Sequence, residues 1–220
     1  MTPHQTTTAE LTGTIPGPAT YMCGLTWDGT LLWHSDQGAE QIYGIDPRDG
    51  TVVRQFPCAH VRADLAFDGD RLCQIGGRPK RLVLIDRSTG EVTGEKAVPP
   101  ASGRLTGAER GPEGMWTVLR GPTVVQLRDA TTMAVLREFP VRGESPSGLT
   151  YADGVVVHGD FDAGTLSAMD PVTGEHLGTV AVPGKPTGLA WDGRRLWYCD
   201  FAARAFSSLD LSAVLDAPAA

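Results

Sequence analysis

Residues Gly24–Gly29 read GLTWDG, and the same signal returns as DLAFDG at Asp64–Gly69, GLTYADG at Gly148–Gly154 and GLAWDG at Gly188–Gly193. A degraded copy, GAERGPEG, lies at Gly107–Gly114. The period is about 40 residues, a length at which each repeat is one supersecondary unit. A second apolar run follows every copy: LLWHSD (Leu31–Asp36), RLCQIG (Arg71–Gly76), MWTVL (Met115–Leu119), VVVHGD (Val155–Asp160) and RLWYCD (Arg195–Asp200). A third run ends on Asp46, Asp86, Asp129, Asp170 or Asp210. A turn such as PRDG, RSTG or PVTG then leads to a fourth run, TVVRQFP, EVTGEKAVP, AVLREFP or EHLGTVAVP.

Four short β-runs joined by Gly/Asp turns make a four-stranded antiparallel meander, and radial repetition of that unit makes a propeller. One copy cannot bury both faces of its sheet, so neighbouring copies stack, and the strands are apolar on both faces. The fifth copy lacks its fourth strand. Residues Ala9–Pro16 (AELTGTIP) resemble EHLGTVAVP and precede the first GLTWDG. The expectation is an all-β, five-bladed propeller whose N-terminal strand completes the last blade and protects its edge. The blades fall at about 20–60, 61–103, 104–144, 145–184 and 185–212 plus 9–16, in one domain spanning 1–220.

Composition agrees with many turns and short strands: 220 residues, 41% apolar, with 27 Gly and 16 Pro. The net charge of −7 and the lack of a basic stripe argue against nucleic acid as a partner. No stretch approaches the 18 apolar residues of a spanning helix, so no membrane is expected. Met1–Glu10 has no apolar leader core, and Cys23, Cys58, Cys73 and Cys199 form no CxxC pair. A cytoplasmic protein with reduced thiols is the expectation. No Walker loop, dinucleotide fingerprint, GxSxG elbow or HExxH occurs.

The pattern GLxWDG…LWxxD…IxxIDPxTGxV resembles the YncE-like, streptogramin-lyase-like and SMP-30-like propellers, and the five-blade size is similar to the plant-type glutaminyl cyclases. The resemblance covers nearly the whole chain. It implies a propeller with a site at one mouth of the central channel. The cyclases carry a Gln or Glu just before the Gly-Leu, where this chain has Met22 and Cys23. The streptogramin lyases use a His pair with acidic metal ligands, which makes His34 and His158 the candidates here.

In this topology one mouth is built from the start of each first strand and the end of each second strand. The strand-start column reads Cys23, Ala63, a residue near Thr106, Ser147 and Thr187, with Arg62 and Arg104 close by. The strand-end column reads His34, Gln74, Thr117, His158 and Tyr198, polar in every blade but chemically varied. Asp36, Asp160 and Asp200 lie two residues further on. The catalytic candidates are His34, His158 and Tyr198. The substrate-binding candidates are Cys23, Arg62, Gln74, Arg104, Thr117, Ser147, Thr187, Asp36, Asp160 and Asp200. A divalent metal is the cofactor that His34 and His158 would hold.

Plainer readings stand beside these. The three aspartates suit turn caps, the histidines suit half-buried rings bonded to carbonyls, and the thiols suit small apolar fillers. Glu109 and Arg110 sit in the degenerate third copy, where departure from the repeat is a place for function to intrude, and loop drift is the plainer reading. The expected function is a small-molecule enzyme of lyase, cyclase or hydrolase type. The alternative is a non-catalytic propeller that binds a ligand or protein.

Overall fold

The computed structural model describes residues 7–99 and 103–217. It contains five four-stranded antiparallel sheets. The chain opens with β1 (Gly13–Pro16). Blade one holds β2 (Met22–Trp27), β3 (Leu32–Asp36), β4 (Gln41–Ile45) and β5 (Val52–Pro57), in that order from axis to rim. Blade two repeats this with β6 (Leu65–Phe67), β7 (Leu72–Gly76), β8 (Arg81–Ile85) and β9 (Val92–Ala97). Blade three is β10 (Arg104–Arg110), β11 (Met115–Arg120), β12 (Val124–Arg128) and β13 (Val135–Pro140). Blade four is β14 (Pro146–Ala152), β15 (Val155–Asp160), β16 (Thr165–Met169) and β17 (His176–Ala181). Blade five has β18 (Pro186–Trp191), β19 (Leu196–Asp200) and β20 (Ala205–Leu209), followed by the one-turn helix α1 (Ser212–Leu215).

The fourth strand of blade five is β1. It pairs antiparallel with β20, Gly13 opposite Ser208 and Pro16 opposite Ala205. Just before it, Ala9 N–H donates to the Ala181 carbonyl at 2.8 Å and Ala181 N–H donates to Thr7 at 2.9 Å. The segment therefore touches the rim strand of blade four before it completes blade five. Both contacts satisfy edge groups that would otherwise be open for pairing.

The core is not one mass but a ring of seams. One cluster joins blades one and two through Trp33, Ile42, Leu65 and Leu72. Others join two to three, three to four and four to five. The last joins five back to one through Trp197, Phe206, Leu25 and Leu32. Five seams for five blades is the signature of closure. Inner and middle strands are buried on both faces, while rim strands such as β9 and β13 alternate with solvent.

The Asp-Gly turns hold these seams from below. Asp28 accepts N–H bonds from Thr30 and Leu31 at 2.8 Å, and from the Trp33 indole at 2.8 Å. Asp192 does the same for Arg194, Arg195 and the Trp197 indole, at 2.8, 2.6 and 2.7 Å. The glycine that follows sits at φ 95° (Gly29) and 88° (Gly193), which a side chain rarely adopts. Thus one aspartate closes a turn and also anchors a buried tryptophan. Among the described residues no helix is long and apolar enough to cross a membrane.

Candidate functional site

The innermost strands β2, β6, β10, β14 and β18 form the channel wall. Each is a sheet edge, so its outward N–H and C=O groups need other partners. The glycine of each Gly-Leu lets neighbouring inner strands approach. A Cβ on Gly24 would lie 2.2 Å from Leu65 N, and one on Gly188 would lie 2.3 Å from Leu25 N. In blade two this column holds Asp64 instead of glycine. Its carboxylate crosses the axis and accepts N–H bonds from Leu25, Leu65, Ala108 and Leu149, at 3.2, 3.0, 3.3 and 3.4 Å. One side chain thus ties four blades together.

Asp64 also forms part of the lining of a cavity of about 170 Å³ at the strand-start mouth. Blade one supplies Met22 and Cys23, blade two Arg62 and Ala63, blade three Arg104 and Thr106, blade four Ser147, and blade five Thr187. Tyr21, Phe161 and Phe201 complete the wall. The hydroxyls follow the ring. Thr106 donates to the Pro146 carbonyl at 2.9 Å, and Ser147 donates to the Pro186 carbonyl at 2.8 Å. The corresponding Thr187 hydroxyl has no hydrogen-bond partner among the described residues.

Electrostatics make Asp64 unusual. Burial pushes its carboxyl well above the usual carboxylate range, and the nearby Glu109 adds to the rise. The four N–H bonds act the other way but are long. All four of its backbone partners are donors.

Glu109 is the second acid of the channel. It lies on β10, and its burial corrects the expectation of loop drift in the third copy. It accepts from the Thr26 hydroxyl at 2.8 Å, and from the Phe67 and Arg110 N–H groups at 3.4 and 2.9 Å. Burial pushes it up to about 8. Sequence reasoning missed both acids as site groups. The available signal was a break in a column: Asp64 among glycines, and Glu109 where other blades carry Thr26, Ala66, Thr150 and Ala190.

The structure brings five of the expected residues together: Cys23, Arg62, Arg104, Ser147 and Thr187 all line the mouth. Cys23 donates to Gln37 Oε1 at 3.8 Å, and burial pushes its thiol up to about 12, so it stays protonated. The strand-end column lies elsewhere, because its side chains point into the seams between blades. His34 is fully buried in the seam between blades five and one. Its Nδ1 lies 2.7 Å from the Gly24 carbonyl and 3.6 Å from the Cys199 thiol. His158 borders a separate cavity with Arg142, Met169 and His176. Burial lowers both rings to about 4, so both are neutral at neutral pH.

Tyr198 donates to the Pro183 carbonyl at 2.9 Å, inside the seam between blades four and five. Gln74 donates to Ala63, Asp64 and Ile75 carbonyls at 3.0–3.1 Å. Thr117 bonds the Gln126 carbonyl and accepts from buried Arg128, both at 3.3 Å. Asp36, Asp160 and Asp200 clasp the loops that lead into the inner strands. Asp36 accepts from the N–H of Tyr21, Gly38 and Ala39 at 2.9, 2.8 and 3.1 Å. Asp160 accepts from Ser145 and Ala163, and Asp200 from Lys185, Ala202 and Ala203. None of these eight lines the mouth cavity. Among the described residues no three His, Cys, Asp or Glu side chains converge as a metal site would need, and His34 and His158 do not meet. The residues present do not fit a protein-held metal at that pair.

No family profile matches the sequence, and no curated protein matches it significantly. Solved structures do share the fold. Glutaminyl cyclase from Myxococcus xanthus superposes with a TM-score of 0.77 at 17% identity, over 92% of this chain and 97% of the cyclase. A catalytically inactive virginiamycin B lyase from Staphylococcus aureus, solved with quinupristin, gives a TM-score of 0.54 at 17% identity. That match covers 86% of this chain and 66% of the lyase. At such identities the likeness is one of architecture.

Proposed function

We propose that the protein is a small-molecule enzyme of lyase, cyclase or hydrolase type, acting at the strand-start mouth with Asp64 as its proton donor. One observation carries this reading: a buried carboxyl in the lining of a cavity to which all five blades contribute, held only by N–H donors. A carboxylic acid kept neutral by its surroundings can protonate a leaving group at neutral pH. In such a step Asp64 gives its proton to the departing oxygen or nitrogen as that atom's bond to carbon breaks; water adds to that carbon in a hydrolysis, a nucleophile of the substrate itself adds in a cyclisation, or the neighbouring carbon gives a proton to water in an elimination, and Asp64 regains a proton from solvent. The Thr187 hydroxyl and the Cys23 S–H stand beside it as neutral groups that can orient a substrate. Two solved propellers that share the fold are named as enzymes, a cyclase and a lyase.

The test is turnover of a panel of small metabolites, followed by mass spectrometry. Asp64→Asn keeps one acceptor oxygen and nearly the same shape, and its melting temperature reports the fold. A general acid contributes about a hundredfold or more, so the account expects at least that loss in kcat. The non-catalytic reading has its own support, because the four N–H bonds on Asp64 are what a purely structural clasp would show. Its outcome is a ligand recovered unchanged and bound equally well by Asp64→Asn.

A further inference from the structure

The mouth has two chemically different sides. On blades two and three stand Arg62 and Arg104, both exposed at the cavity wall. Among the described residues neither has a carboxylate within ion-pair distance. Arg120, further round the wall, differs: it already pairs with Asp162 at 3.0 Å and donates to Ser145 at 2.6 Å. Lys80 lies close behind. Burial lowers its pKa, and the Arg104 charge lowers it further, so positive charge is concentrated here.

The opposite side is aromatic. Tyr21 and Phe201 meet edge to face at 4.9 Å, and Phe161 joins Phe201 at 5.7 Å. Tyr21 is 49% exposed although it is a large ring at a cavity wall. The exposed Tyr21 ring, beside guanidinium groups with no ion-pair partner, matches a ligand that carries both characters, while Lys185 Nζ already lies over the Phe161 ring at 5.8 Å. The cavity of about 170 Å³ is smaller than a drug-sized pocket of roughly 300 Å³ or more. It suits one acidic group and one ring.

We infer that the mouth binds a small organic anion with a flat apolar body. Its acid group lies between Arg62 and Arg104, and its ring lies against Tyr21, Phe201 and Phe161. This deepens the proposed function and rests on its placement of the site, but it is tested by equilibrium binding and needs no turnover.

The experiment is isothermal titration calorimetry on the full chain with phenylacetate as probe. Phenylacetamide removes the charge, acetate removes the ring, and inorganic phosphate offers charge alone. A ligand of this size should bind at about 1 mM or tighter. Phenylacetamide should bind at least about tenfold more weakly, the worth of one charged hydrogen-bond pair, and acetate and phosphate should lose at least as much because neither carries a ring to bury. The double variant Arg62→Gln, Arg104→Gln should lose about tenfold for phenylacetate, and Phe201→Ala about fivefold. Raised salt should weaken phenylacetate and spare phenylacetamide. Both arginines are exposed, so the double arginine variant should melt as the native chain does. Equal affinity for phenylacetamide, unchanged binding in the arginine variant, or no saturable binding of phenylacetate overturns the assignment. Asp64-dependent turnover of a neutral compound would sink this ligand class and leave the enzyme reading. Intact phenylacetate binding with turnover unaffected by Asp64→Asn would do the reverse.

Discussion

At the scale of single residues, the channel turns on two acids whose carboxyls burial pushes above the usual carboxylate range. Glu109, pushed up to about 8 from an ordinary value of 4.5, binds its proton more tightly folded than unfolded. Its contribution to stability is complete below about pH 4.5 and is lost as pH rises through about 8. In that window the loss is about 1.4 kcal/mol per pH unit for one proton. His34 and His158, lowered to about 4, work in the opposite direction, costing stability as pH falls below 6.5. The two effects separate in a difference experiment. Chemical denaturation across pH 5–9 should show the native chain declining relative to Glu109→Gln as pH rises to about 8, then running parallel. Parallel curves throughout would show that Glu109 titrates as a normal carboxylate. The sequence contained the clue to both acids, as breaks in two columns. Burial decides their chemistry, and burial belongs to the closed ring.

At the scale of elements, the repeat is legible because each strand and turn repeats its own physical requirement. The Asp-Gly turns needed an acceptor and a positive φ, so GLTWDG announced them. The aspartates that close third strands cap their turns, as Asp86 does for Ser88 N–H at 2.7 Å and Asp170 does for Val172 N–H at 2.8 Å. The closing strand was also readable, from the likeness of Ala9–Pro16 to EHLGTVAVP. The segment divides between two blades, because Thr7–Ala9 bonds blade four while Thr12–Gly17 joins blade five. What a linear pattern does not contain is the side to which a column points. The strand-end residues His34, Gln74, Thr117, His158 and Tyr198 share a register position, yet they face seams between blades. Deletion of residues 1–16 tests the closing strand. It uncovers β20 and removes Ile15 from the seam between blades five and one. The expected fall in melting temperature is about 10 °C or more, with recovery when an Ala9–Pro16 peptide is added. An unchanged melting temperature would mean that β1 does not close the ring.

At the scale of the whole molecule, the ring does what no single blade can. It sets Cys23, Arg62, Arg104, Ser147 and Thr187 around one cavity and draws a carboxyl across the axis. Asp64 has this reach because one blade replaced a packing glycine with an acid. The blades that kept glycine leave backbone N–H groups pointing inward for it to collect. Fold and site are therefore linked through one residue, and the site belongs to the mouth rather than to any blade. This is measured most directly by titrating ¹⁵N-labelled protein with phenylacetate and mapping amide shifts. The account predicts the largest changes at Cys23, Ala63, Asp64, Thr106, Ser147 and Thr187, one cluster drawn from all five blades. Largest changes at the opposite end, around Gly29, Gly69, Gly154 and Gly193, or beside His158 and His176, would contradict it.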